Sequence, residues 1–160
     1  MRNDTLARQI GKLLATKKLT ISVCESCTAG MLGAAFTSIS GSSKYFQGGF
    51  IAYSDTVKKK IVGVKARTLE HFGAVSAESA WEMALGVKKK IKSDIGIAVS
   101  GIAGPGGGSK EKPIGTVYIA VAMEKTVTVK RFLFKGRRQT IRRSACKHAL
   151  ELLREELRNV

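Results

Sequence analysis

The stretch Asp94-Ile95-Gly96-Ile97-Ala98-Val99-Ser100 runs directly into Gly101-Ile102-Ala103-Gly104-Pro105-Gly106-Gly107-Gly108-Ser109. No polar side chain interrupts residues 95–99. A strand with one face in water alternates apolar and polar residues, whereas a strand covered on both faces reads as a continuous apolar run. The run therefore predicts a strand inside a sheet with helices on both sides, which is the α/β class. The segment that follows, residues 101–113, holds five Gly and two Pro and reads as a loop.

Working outward, Leu6, Ile10, Leu13 and Leu14 have the spacing of a helix with one buried face. Leu19 to Cys24 alternates with β-branched residues and predicts a strand. Residues 29–38 read as a helix, residues 40–43 as a loop and Gly49 to Tyr53 as a second strand. Asp55 is placed to cap a short helix through Ile61. Ser76 caps a predicted helix to Ile91, with Glu78 in its first turn and Lys88-Lys89-Lys90 at its end, matching the helix dipole. Gly115 to Met123 and Thr126 to Phe134 form a hairpin around Glu124-Lys125, and the last helix runs from about Gln139 to Leu157. Strands separated by helices favour a mostly parallel sheet, and the hairpin adds at least one antiparallel strand. Polar loops follow three of these strands, at Glu25–Thr28, at Ser54-Asp55 and at Ser100–Ser109. In a doubly wound sheet they converge at the carboxyl edge, where ligands bind.

Composition narrows the class. The chain has 160 residues, so 1–160 is read as one domain. Hydrophobic residues make up 44% and charged residues 25%, a globular mix that excludes a collagen-like or disordered chain. No apolar run approaches the roughly 20 residues of a membrane span, and no signal-peptide pattern opens the chain. Three Cys is too few, and odd, for a disulfide scaffold, so the expected setting is reducing and cytoplasmic. The balance of 28 Lys and Arg against 12 Asp and Glu is +16, which points to an anionic partner without naming it.

Several residues are chemical candidates. The Gly-rich loop suits an anion approached by backbone N–H groups, but it has neither the Gly-Lys-Ser/Thr ending of a P-loop nor a following helix. Cys24-Glu25-Ser26-Cys27 is a C-x-x-C, yet a Glu between the cysteines disfavours a thiolate, and only Cys146, His71 and His148 remain as further soft ligands, at no metal-site spacing. His71 and His148 fall on helices away from the polar loops and read as structural or surface residues. A serine nucleophile therefore needs another base, and a lysine serves if burial or neighbouring cations lower its pKa. Lys58-Lys59-Lys60 offers three candidates, among which the pattern does not choose.

Six stretches in order carry a resemblance: Glu25-Ser26-Cys27-Thr28, Gly41-Ser42-Ser43, residues 49–54, Gly73-Ala74-Val75-Ser76, residues 100–105 and residues 112–117. Together they resemble the C-terminal domain family of competence/damage-inducible CinA, whose stand-alone members are nicotinamide-nucleotide amidohydrolases. The resemblance implies a three-layer α/β/α fold with a mixed, mostly parallel sheet. It implies hydrolysis of the carboxamide of nicotinamide mononucleotide to nicotinate mononucleotide and ammonia, with no metal or organic cofactor, in a homo-oligomer. It places the nucleophile on Ser43, the catalytic lysine on Lys58 and the family's tyrosine on Tyr53. Ser26, Thr28, Ser100, Gly101, Ile102, Ala103 and Gly104 line the implied nucleotide pocket, and Arg138 falls on the family's phosphate-binding arginine. The neighbouring Arg137 replaces the family's usual acid. The alternative is a module of the same fold that holds a nucleotide or phosphate without turning it over.

Nucleic acid is a poorer match for the +16 charge. Aromatics are only 6% of the chain, and no recognised nucleic-acid-binding motif interleaves them with the basic residues. Fluorescence anisotropy with labelled duplex DNA is expected to show only electrostatic binding, weakening steeply between low and physiological salt. Tight binding that survives physiological salt sinks that expectation.

Overall fold

The computed structural model describes residues 3–159. Helix α1 (Asn3–Lys17) leads to strand β1 (Ile21–Glu25), helix α2 (Met31–Thr37), a 3-10 turn at Ser42–Lys44 and strand β2 (Phe46–Ile51). Helix α3 (Asp55–Val57) passes directly into a π-helical turn, Lys58–Val62, and helices α4 (Ala66–Phe72) and α5 (Ala77–Ile91) follow. Strands β3 (Ile95–Gly101), β4 (Thr116–Ala122) and β5 (Val127–Leu133) precede the final helix α6 (Arg138–Arg158).

The five strands form one sheet in the order β2-β1-β3-β4-β5. β1 is parallel to both β2 and β3, while β4 runs antiparallel to β3 and to β5. Only β4 is reversed, so the sheet is mixed and mostly parallel. β3 is buried on both faces, as its apolar run requires, and the two faces use different side chains. Ile97 and Val99 join Leu6, Ile10, Phe36, Ile141 and Leu153 in the core under α1, α2 and α6. Ala98 joins Cys24, Ala120 and Ala122 beneath Met83, Ala84 and Val87 of α5. The result is a three-layer α/β/α sandwich.

The small side chains on the second face let α5 lie close to the sheet. At Gly96 a Cβ would collide with the Ala84 carbonyl of α5. The N-terminus of α5 is fixed as its sequence indicated: Ser76 Oγ accepts the Ser79 N–H at 3.1 Å. Other boundaries move. α2 starts at Met31 rather than 29, because Ala29 and Gly30 have φ of 48° and 93° and are not right-handed. The cap of α3 is Ser54, whose Oγ accepts the Val57 N–H at 3.3 Å, and Asp55 is the first helical residue instead. β2 begins at Phe46, whose ring stacks on Phe36 of α2 at 5.6 Å, and it ends before Tyr53.

Gly96→Ala is expected to lower stability by about 2 kcal/mol, because neither the β3 backbone nor the α5 carbonyl can retreat without moving a packed layer. Gly106 has open space around its missing Cβ. Gly106→Ala is therefore expected to stay within about 0.5 kcal/mol of the parent chain. Thermal melts of the two variants side by side check the contrast.

Candidate active site

Because β2, β1 and β3 run the same way, the loops at their carboxyl ends meet at one edge of the sheet. Pairing holds them in register past the strand ends. The Ser26 N–H donates to the Val99 carbonyl at 2.9 Å, and the Ala52 N–H donates to the Glu25 carbonyl at 2.8 Å. Ser26 thus sits between the exits of β2 and β3.

Glu25 shapes the turn that follows. Its carboxylate is buried and accepts three backbone N–H groups: Gly30 and Leu32 on Oε2, each at 3.0 Å, and Gly33 on Oε1 at 2.8 Å. The residue before α2, Gly30, has no side chain to cap the helix, so a carboxylate from the preceding strand satisfies the exposed N–H groups instead. Local pattern did not reveal this role: there Glu25 figured as the start of a polar loop, a residue between two cysteines and part of the first motif of the resemblance. The available signal was a single acid at the end of a strand that is otherwise uncharged and buried.

Lys58 opens the π-helical turn and is 1% exposed, although Lys59 and Lys60 beside it are exposed. Its Nζ donates to the Tyr53 carbonyl at 3.0 Å and lies 3.5 Å from Ser26 Oγ. Burial lowers the Lys58 pKa, and the Asp55 carboxylate at 3.9 Å pulls the other way. Of the two causes the sequence offered, burial and neighbouring cations, desolvation by burial is the one that lowers it. Of three consecutive ammonium groups, the fold withdraws one from water and brings a serine to it.

That serine is not Ser43. Ser43 lies exposed in the 3-10 turn before β2, at the amino edge of the sheet, whereas Lys58 reaches Tyr53 beyond the carboxyl end of β2. A six-residue strand rises about 3.3 Å per residue, so roughly 20 Å of β2 separates the two within one chain. The dyad expected from Ser43 and Lys58 is not assembled in a single chain, and Ser26, expected only to line the pocket, takes the place beside the lysine.

The remaining candidates fall around the same edge. Tyr53 is 60% exposed, and its hydroxyl accepts from an Arg138 guanidinium nitrogen at 3.4 Å. Arg138 also donates to the Gly104 carbonyl at 2.7 Å, which ties the start of α6 to the Gly-rich loop. α6 begins without a side-chain cap and has no acid in its first turn; Arg137 occupies the capping position. Ser100 is buried and its Oγ donates to the Ala74 carbonyl at 2.6 Å. Ile102 continues the pairing with β4 through its N–H on the Thr116 carbonyl at 2.9 Å, and Ala103 and Gly104 are buried beside it. Gly101 is required by close packing, since a Cβ would press on Val117 at 2.6 Å. Thr28 is fully buried, and its Oγ1 has no hydrogen-bond partner among the described residues.

Thiol and imidazole chemistry lie elsewhere. Burial pushes the Cys24 thiol up to about 12 and the Cys27 thiol to about 11, so neither is a thiolate at neutral pH. His148 packs against the stacked rings of Phe132 and Phe134, with ring centroids at 5.2 and 4.8 Å, and His71 lies exposed at the end of α4. No helix among the described residues is long and apolar enough to cross a membrane.

Comparison with known proteins agrees with the fold. A family model described as the CinA C-terminal domain matches residues 3–157. A "CinA-like protein" of Endomicrobium trichonymphae is 50% identical over 155 residues, covering 97% of this chain and 36% of the relative. A "CinA-like protein" of Syntrophomonas wolfei is 46% identical over 157 residues, covering 98% of this chain and 38% of the relative. The chain thus spans a little over a third of the length of these curated relatives. Among solved structures, a competence/damage inducible protein from Agrobacterium tumefaciens superposes with a TM-score of 0.93 at 38% identity, covering 96% of this chain and 94% of the other. A CinA superfamily protein from Klebsiella pneumoniae superposes with a TM-score of 0.96 at 30% identity, and each chain is covered in full, at 100%.

A buried ammonium costs stability wherever it is charged. Because burial lowers the folded-state pKa of Lys58, the unfolded chain binds its proton more tightly, and that cost is present at neutral pH and fades as pH rises toward the ordinary lysine value of about 10.4. Lys58→Met is expected to raise the melting temperature at pH 7 by roughly 2–4 °C, about 1 kcal/mol, with the gain shrinking at alkaline pH. Calorimetry across pH checks this; a gain that grows with pH contradicts it.

Proposed function

The chain belongs to the CinA C-terminal domain family, and from that premise we propose that it hydrolyses the carboxamide of nicotinamide mononucleotide, giving nicotinate mononucleotide and ammonia. The observation that carries this reading is Lys58: a lysine withdrawn from water, with lowered pKa, 3.5 Å from a serine hydroxyl at the carboxyl edge of the sheet. An amide resists a weak nucleophile, and a serine hydroxyl stays weak until a base takes its proton. A module that only held a nucleotide would have no use for such a base.

In the proposed route neutral Lys58 takes the Ser26 proton as Oγ attacks the carboxamide carbon. The separation of 3.5 Å is long for a hydrogen bond and would tighten with substrate in place. The Tyr53 carbonyl holds Nζ by one N–H and leaves its lone pair for the serine. The tetrahedral adduct collapses as Lys58 returns the proton to the departing nitrogen, which leaves as ammonia. Water, deprotonated by the same lysine, then cleaves the acyl-serine ester, giving the carboxylate and restoring Ser26. Arg138 and the uncapped N-terminus of α6 suit the substrate phosphate, because free N–H groups and a guanidinium both favour an anion.

Ammonia release from nicotinamide mononucleotide tests the reading. Wild-type turnover is expected to rise with pH through the Lys58 ionisation, with a midpoint below about 10.4, since the active form of the base is the deprotonated one. Ser26→Ala and Lys58→Arg are each expected to lower kcat by at least about 1,000-fold, the arginine because it keeps the charge but cannot give up its proton. Ser43→Ala is expected to leave kcat within about threefold of wild type. Loss of turnover in Ser43→Ala with Ser26→Ala active would overturn this choice of nucleophile and point to a serine delivered by a second copy of the chain. A wild-type chain that binds the nucleotide but releases no ammonia is a binding module.

A further inference from the structure

The turn after β1 holds strained backbone. Ala29 and Gly30 are left-handed in succession, with φ of 48° and 93°, and Ala29 carries a Cβ that disfavours this region. Such a turn persists only where its surroundings hold it. The Glu25 carboxylate holds it on one side by its N–H groups. On the other side stands Arg142, from the second turn of α6. Its Nε donates to the Cys27 carbonyl at 2.9 Å, one terminal nitrogen donates to the Thr28 carbonyl at 2.9 Å, and the other donates to Gln139 Oε1 at 3.3 Å. Cys27 and Thr28 are buried, so without the guanidinium both carbonyls would have to find new partners away from bulk water.

We propose that Arg142 is a positioning residue for Ser26: by gripping the carbonyls of Cys27 and Thr28 it fixes the turn that sets Ser26 Oγ against Lys58 Nζ. This rests on the reading of Ser26 and Lys58 as the reacting pair. The guanidinium acts at a distance from the chemistry. It binds the two residues after the nucleophile and leaves Ser26 itself free. Arg138, one turn earlier on the same helix, bonds the Gly104 carbonyl and the Tyr53 hydroxyl. Two arginines on one face of α6 therefore anchor the loops that leave β1, β2 and β3, and the two have separate tasks: Arg138 faces the loops proposed to take the phosphate, and Arg142 grips the loop that carries the nucleophile. A planar fork that meets two carbonyls at once is not replaceable by the single ammonium of lysine.

The test uses Arg142→Ala and Arg142→Lys in the full chain, with two independent readouts. Hydrogen exchange without substrate is expected to speed up by about tenfold or more at residues 27–33 in Arg142→Ala, with β3 and α5 unchanged, because two charge-assisted hydrogen bonds are lost there. In turnover of nicotinamide mononucleotide, kcat is expected to fall about 100-fold while KM moves by less than about threefold, since a misplaced nucleophile slows the chemistry without removing substrate contacts. Added guanidinium is expected to restore part of kcat to Arg142→Ala, and Arg142→Lys is expected to stay slow. Should Arg142→Ala fail to fold, Arg142→Gln keeps the side-chain length and one donor and carries the same measurements. Unchanged exchange at residues 27–33 overturns the inference, as does an unchanged kcat. A raised KM with unchanged kcat also overturns it, by making Arg142 a substrate ligand. If the wild-type chain does not turn over the nucleotide, the proposed function fails by itself, and the exchange measurement still decides whether Arg142 holds the turn.

Discussion

Glu25 ends β1 with a carboxylate that is 1% exposed, and the backbone N–H groups of Gly30, Leu32 and Gly33 all point at it. An isolated carboxylate buried at the end of an apolar strand would be untenable; three donors and the positive end of α2 make it a fixed point. The chain leaves the sheet at this residue, turns through left-handed Ala29 and Gly30, and re-enters the layer above as α2. The direction of that turn decides where Ser26 lies. Without the carboxylate, α2 would begin on a glycine with no cap, and the turn would be held from one side only, by Arg142.

Lys58 is the complementary device on the other side of Ser26. The carboxylate is stabilised by donors placed around it, whereas the ammonium is deprived of water and given one carbonyl and one hydroxyl. The first arrangement holds the charge in place, whereas the second lowers the pKa of the amine, because a poorly compensated buried amine gives up its proton more readily. The π-helical turn at Lys58–Val62 contributes by adding a residue to the helical ladder just where the side chain must enter the interior. The chain's excess of cations needs no such arrangement. With 12 acids for 28 basic residues the chain carries a net +16, whose field favours an anionic ligand at long range.

The order of elements was readable because it rests on local chemistry. Ser76 caps α5, the unbroken run from Ile95 to Val99 becomes the doubly covered strand, and Glu124-Lys125 turns the hairpin between β4 and β5. Convergence of the loops after β1, β2 and β3 was also readable, since it follows from parallel strands alone. The misreadings came where a residue's role depends on contacts distant in sequence. Ala29 looked helical because alanine favours helices, yet the Glu25 carboxylate and the entry angle of α2 force it left-handed. Asp55 looked like a cap, but Ser54 stands one position nearer the point where the backbone turns helical. Arg142 offered no signal at all, because its partners Cys27 and Thr28 lie at the opposite end of the chain.

Propensity, capping and apolar periodicity act over a few residues, and so the sequence by itself determined the class of fold, the succession of helices and strands, and the edge of the sheet at which a ligand would sit. Pattern narrowed a candidate base to a run of three lysines, and the family resemblance singled out Lys58 among them. That Lys58 is the lysine withdrawn from water, and that Ser26 is the serine that meets it, only the tertiary structure decided. Both depend on burial and on distances between segments that only the packed sheet brings together: Lys58 from beyond β2, Ser26 from the end of β1, and the six-residue length of β2 that keeps Ser43 at the far edge. Desolvation is a property of the assembled layers, and no single stretch of chain encodes it.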